Sequence, residues 1–182
     1  MARVPDMTAE MLKEADRDLL KRNIALHRAL TNSPNAARAF SGLGQFIRYG
    51  SVLDSRLREM AILQVGWLAR SAYEWSHHVK IGMEFGVTDD DIRALIAESA
   101  GQDTALEPLA KLVLQAAREA YAGPGVSEAT FEALRAHFDH ERLVDLVMVI
   151  AFYCAVVRVL ASLDIRVEPE YQPYLDKYPL PA

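Results

Sequence analysis

Residues 59–78 read EMAILQVGWLARSAYEWSHH, an apolar helical stretch into which Glu59, Glu74 and His78 are set. The spacing of these groups constrains the fold more than their number. Counted from Ser71 at ~100° per residue, Ser71, Glu74 and His78 fall within an arc of roughly 60°. One helix face therefore carries a hydroxyl, a carboxylate and an imidazole, with Glu59 supplied by the preceding helix. Such a face has to be enclosed by other helices that can satisfy it, since ionisable groups are costly to bury alone.

The rest of the chain has the same helical rhythm. Thr8 can cap a helix to about residue 22, followed by one over 23–30. Ser33-Pro34 opens a helix to about residue 49, in which Gly42 and Gly44 suggest close packing. Asp54 can cap 55–70, and the next helix, 72–85, stops at Gly86. Thr88 before Asp89, Asp90 and Asp91 marks another start. Further helices are expected over 106–121, over 127–138 after Ser127, and over 140–163. No strand alternation or Asn-Gly hairpin occurs, so the fold class is all-α. The openings Arg56-Leu57-Arg58-Glu59 and Glu141-Arg142-Leu143-Val144-Asp145 are alike and suggest a weak internal duplication. Residues 1–165 are expected to form a single helical domain. Residues 166–182, with Pro169, Pro173, Pro179 and Pro181 and three tyrosines, are expected to be an extended arm lying on a surface.

Composition narrows the function. At 51% hydrophobic and 25% charged residues the chain can enclose a core. A net charge of -5 without a basic stripe argues against a nucleic-acid partner. Asp145 and Arg158 interrupt the longest apolar run, which reads as a buried helix, not a membrane span. Cys154 is the sole cysteine, so no intramolecular disulfide or cysteine metal cluster can form. The N-terminal segment turns polar at once, unlike a signal peptide, and a cytoplasmic location is expected.

The layout Glu59, position 71, position 74, His78 resembles the alkylhydroperoxidase D (AhpD)-like superfamily, which includes the carboxymuconolactone decarboxylases. The stretch LDSRLREMAILQVGWLARSAYEWSHHVKIGMEFGVTDDDIRAL is similar to its core signature, and Tyr153, Arg158 and Val167-Glu168 continue the likeness. In the peroxidase branch, positions 71 and 74 are cysteines that attack and resolve a peroxide. Here they are Ser71 and Glu74, so dithiol peroxidase chemistry is excluded. Peroxide chemistry at Cys154, which reads as a small buried hydrophobe, is the weakest option.

The resemblance implies an acid–base lyase (a decarboxylase) or isomerase, without an organic cofactor, acting on a small aromatic-derived carboxylate or lactone. It also implies a homo-oligomer with sites near subunit contacts. His78 suits a proton donor and Glu74 can orient it or act as the acid. Glu59 can share a proton with the pair, and Ser71 can hydrogen-bond substrate. Arg48, Arg70 and Arg158 are candidates for a substrate carboxylate. The other reading is a non-catalytic or ligand-binding protein, with Glu59 as a first-turn acid and Glu74–His78 as a structural i,i+4 pair. Tyr73 and Trp75 read as packing residues. His77, turned about 100° from His78, is expected at the surface or a subunit contact. Glu74, His77 and His78 have metal spacing, but a second helix would have to complete the set and only Glu59 is at hand; no metal is expected.

Overall fold

The computed structural model describes residues 2–181, so the first residue of the expected domain and the last of the expected arm lie outside it. The described residues are helical, without strands. Two short 3-10 segments, Ala9–Met11 and Glu14–Leu20, replace the first expected helix. Then come α1 (Ala25–Leu30), α2 (Pro34–Gln45), a π-helical turn (Phe46–Gly50), α3 (Ser55–Leu68), α4 (Ala72–Glu84) and α5 (Asp89–Ser99). After them run α6 (Pro108–Ala122), α7 (Glu128–Arg135), α8 (His140–Leu163) and α9 (Gln172–Lys177).

The boundaries follow the caps. Asp54 accepts from the amide of Leu57 at the start of α3, and Ser127 and Asp139 do the same for α7 and α8. Thr88 and Asp91 form a reciprocal capping box on α5. Gly86, at φ 97°, ends α4 with Val87 N donating to Gly82 O at 2.8 Å.

α3 is the hub. Every residue from Leu57 to Gly66 is buried, and the helix packs against α4, α5, α6 and α8. The α3–α4 reversal is tight. Arg70 takes a left-handed φ of 47°, and Ser71 N donates to Gly66 O at 3.1 Å. A Cβ on Gly66 would stand 3.3 Å from Trp75 N, so the glycine lets the two backbones meet. Chain reversal at this point lays Glu59 and His78 face to face across nineteen residues of sequence.

α8 differs from expectation. It is long and apolar enough to span a membrane, yet only 44% of its most apolar stretch is buried. One face packs on α3 and α6, and Asp145 on it accepts from Ser51 Oγ and Val52 N at 2.7 and 3.0 Å. Val144, Val147 and Met148 on the other face are exposed.

The C-terminal residues also depart from the expected extended arm. A 3-10 turn, Pro169–Tyr171, leads into α9, because Pro169 and Pro173 occupy first-turn positions where a missing N–H costs no helix bond. The segment packs on α4. Trp75 Nε1 donates to Tyr178 O at 2.8 Å, and the Tyr178 hydroxyl bonds Asp89. With Tyr178 only 2% exposed, Tyr178→Ala should cost about 3–4 kcal/mol, read as a lowered urea midpoint.

Candidate functional site

The site begins with the two helices that the reversal holds together. Arg58 and Glu59 are fully internal on α3. Arg58 Nε and Nη2 donate to Glu59 Oε1 at 3.1 and 3.0 Å, and Arg58 Nη1 donates to Arg48 O at 3.1 Å. The guanidinium also lies over the Phe85 ring, 4.6 Å from its centroid. Glu59 Oε2 meets His78 Nδ1 at 2.7 Å. On the other side of the ring, His78 Nε2 meets Glu74 Oε1 at 3.0 Å. The groups form one chain: guanidinium, carboxylate, imidazole, carboxylate.

Electrostatics set the protons. Burial disfavours a charged His78, but Glu74 and then Glu59 outweigh it and hold the imidazole above its ordinary value. Burial likewise opposes ionisation of Glu59, but His78 and Arg58 hold its carboxyl below the usual range. Glu59 therefore stays ionised. It does not share a proton with Glu74 as expected, because two cations flank it. The imidazolium can donate one N–H to each carboxylate.

Glu74 and His78 lie on the wall of a cavity of about 540 Å³; Glu59 stands behind them. The cavity is bounded by the Glu14–Leu20 turn, α1, α2 with its π-helical turn, α4 and α8. Gly42 and Gly44 both line it; nothing lies within 4 Å of a Cβ on Gly42, whereas one on Gly44 would stand 4.0 Å from the Phe152 ring of α8. Tyr153, from α8, meets His78 edge-on at 5.0 Å between centroids. Burial, then Glu74 and Glu59, push its phenol well above the ordinary range, so it remains a donor. Its hydroxyl has no hydrogen-bond partner among the described residues.

The other candidates fall differently. Ser71 is the N-cap of α4, its Oγ accepting from Glu74 N at 3.4 Å, and it is absent from the cavity wall. Arg48 is on that wall, whereas Arg70 and Arg158 are not. Arg158 lies 5.6 Å from the Tyr121 ring centroid and bonds the Cys154 carbonyl. Cys154 is half-buried, and burial pushes its thiol up, away from the reactive thiolate.

His77, expected at a surface, is buried. Its ring is stacked between Tyr73 and Tyr171 at 4.0 and 3.5 Å. Burial lowers its pKa despite Glu168, and the neutral ring can donate from Nε2 to Glu168 Oε2 at 2.9 Å. Glu168 also accepts from Ala25 N at 2.6 Å and from the Tyr73 hydroxyl at 3.3 Å. Burial opposes its ionisation, but His77 and that amide hold it at about 2. His77 and His78 thus serve separate networks. Among the described residues no three His, Cys, Asp or Glu side chains are arranged to hold a metal ion.

The geometry defines an all-α, AhpD-like fold in which α3 and α4 carry a buried chain from Arg58 through Glu59 and His78 to Glu74. Residues 34–119 match the model of the carboxymuconolactone decarboxylase family, and the fold is AhpD-like. It is similar to an AhpD-core, peroxidase-related protein from Ralstonia eutropha JMP134, with TM-score 0.80 and 21% identity over 96% of this chain and 95% of that one. A peroxidase-related protein from Silicibacter sp. TM1040 gives TM-score 0.73 and 19% identity over 93% and 90%. The debrominase Bmp8, in complex with 2,3,4-tribromopyrrole, gives 0.71 and 18% over 91% and 94%. At these identities the likeness is one of fold. No curated protein matches the chain significantly.

The proton chain makes stability pH-dependent. His78 is raised from 6.5 in the fold, so its contribution is complete below that value and is lost as pH rises through the folded pKa. Glu59 is lowered from 4.5, so its contribution is present above that value and is lost as pH falls through the folded pKa. Urea midpoints of the native protein should therefore decline as pH rises above about 6.5. His78→Gln should lack that alkaline decline.

Proposed function

We propose that this protein is a cofactor-independent acid–base lyase, a decarboxylase, or an isomerase, acting on a small aromatic-derived carboxylate or lactone. The observation that carries this reading is the charged chain from Arg58 through Glu59 and His78 to Glu74, which ends on the wall of an aromatic-lined cavity. In the decarboxylase form, the bond from carbon to the departing carboxylate breaks and carbon dioxide leaves. The electron pair moves into a conjugated carbonyl, and the Tyr153 hydroxyl donates to the resulting enolate oxygen. The proton on His78 Nε2 then passes through Glu74 to the carbon, leaving the imidazole neutral until solvent returns a proton, while Glu59 and Arg58 hold the ring in place. An isomerase would use the same groups, taking a proton from one carbon and returning it to another. Ser71 supports the site by capping α4 ahead of Glu74.

Peroxide turnover of the dithiol kind has no residues to carry it. The debrominase likeness extends to this chain only as a precedent for a small ring compound in the same fold.

Glu74→Gln keeps the shape and removes the carboxylate that relays the proton. It should lower carbon dioxide release from unsaturated lactone and aromatic carboxylates by about 10²–10⁴-fold, with a thermal midpoint within a few degrees of the native protein. If the native protein binds such compounds without turning them over, it is a ligand-binding member of the family.

Self-association is part of this reading, with a cytoplasmic location suggested by the lone reduced cysteine. Val144, Val147 and Met148 leave an apolar face of α8 exposed, Val52 is 42% exposed, and Tyr49 at the cavity mouth is 76% exposed. Met148→Glu should shift size-exclusion elution toward the monomer while leaving the far-UV helical signal intact.

A further inference from the structure

The cavity that holds Glu74 and His78 also holds two arginines with no acidic partner among the described residues. Arg22 and Arg48 both line it, and neither guanidinium donates to an acceptor among the described residues. Arg38, a third arginine on the wall, is different: it is bound to Asp16 and Asp18. Asp18 is thereby used up, and Lys21 adds positive charge at the rim. His27 also faces the cavity; burial and then Arg22 hold its pKa down, so it is neutral. On the opposite side of the charge balance the wall offers Glu74, already engaged with His78. Two like charges are thus brought together in a partly desolvated hollow without a counter-ion. Folding gains nothing from this, but an anion entering the cavity would.

Which anion follows from the chemistry of the site. A carboxylate that departs as carbon dioxide loses its charge in the transition state. Arginines gripping it would stabilise the substrate more than the transition state and slow the reaction. The pair is useful if it holds charge that stays. We propose that Arg22 and Arg48 form a carboxylate-binding subsite that anchors the substrate through an anionic group retained in the product, leaving the reacting carbon to Glu74 and His78. This rests on the acid–base reading above. Phe40, Tyr49 and Phe152 line the space around them, so the group fits a flat, unsaturated body carrying that carboxylate. The substrate then has two functional ends: one anionic and permanent, one that reacts.

Benzoate carries the charge and the flat ring but nothing to eliminate, so its binding can be measured whether or not the protein turns anything over. Calorimetric titration should show benzoate binding that weakens with salt, with neutral benzamide at least tenfold weaker. Arg22→Met and Arg48→Met should each weaken benzoate about tenfold or more, with ligand-free thermal midpoints equal to or above the native value. Should either fail to fold, the Lys variants keep the charge and should still bind benzoate less well, because an ammonium lacks the planar fork. Glu74→Gln, which removes a negative charge from the same wall, should bind benzoate at least as tightly as the native protein. Equal affinity for benzoate and benzamide, benzoate binding unaffected by both Met variants, or inorganic phosphate binding as tightly as benzoate would each overturn the subsite. Intact benzoate binding in a native protein that neither decarboxylates nor isomerises unsaturated lactone and aromatic carboxylates would remove the acid–base reading and leave the subsite standing.

Discussion

The structure depends on keeping charge alternating inside an apolar hub. Arg58, Glu59, His78 and Glu74 are all buried, and each alone would cost several kcal/mol to desolvate. Placed in sequence, cation to anion to cation to anion, they satisfy one another with contacts of 2.7–3.1 Å. This order requires α3 and α4 to lie against each other at a fixed register. Gly66 permits the approach, and the left-handed Arg70 and the Ser71 cap complete the reversal. The remaining helices enclose the pair, and only the His78–Glu74 end of the polar chain lines the cavity.

That end faces a cavity built by parts of the chain far apart in sequence. The Glu14–Leu20 turn and its successor Arg22 come from the N-terminal region, Arg48 from the π-helical turn, and Tyr153 from α8. The same turn that carries Arg48 is tied to Arg58 by its carbonyl. Hub and cavity are therefore mechanically linked: the guanidinium that steadies Glu59 also fixes the backbone presenting Arg48. The second buried histidine, His77, belongs to a different structure. Its stack with Tyr73 and Tyr171 and its bond to Glu168 clasp the C-terminal segment and α1 onto α4.

Much of the helical plan was legible in the chain. Asp54, Thr88, Ser127 and Gly86 act locally, through bonds to amides and carbonyls within a few residues, so their sequence positions translate directly into boundaries. The N-terminal region was read as continuous helix because Thr8 and the following acids match a start signal, but it folds as 3-10 turns over the cavity. Prolines in the C-terminal segment suggest an extended arm, yet part of it is helical. Proline breaks a helix only where its N–H is needed, and Pro169 and Pro173 stand where it is not. Of the site, the face carrying Glu74 and His78 was visible from helical arithmetic. Arg22 was not, since no spacing relates it to that face, and Arg58 was noted only as Glu59's neighbour, not as its counter-ion.

By itself the sequence determined the helical class, the family likeness, and the loss of dithiol chemistry, because helix periodicity, caps and the identity of residues 71 and 74 are local or compositional facts. Tertiary structure alone decided which charges are partnered. It placed Glu59 between two cations and so kept it ionised, sent His77 inward to Glu168, left Ser71 as a cap, and gathered Arg22 and Arg48 at the cavity without an ion-pair partner among the described residues. The physical reason is distance. Electrostatic and hydrogen-bond partners are chosen by proximity in space, and proximity across a helical reversal or between the two ends of a chain has no signature in the spacing of residues.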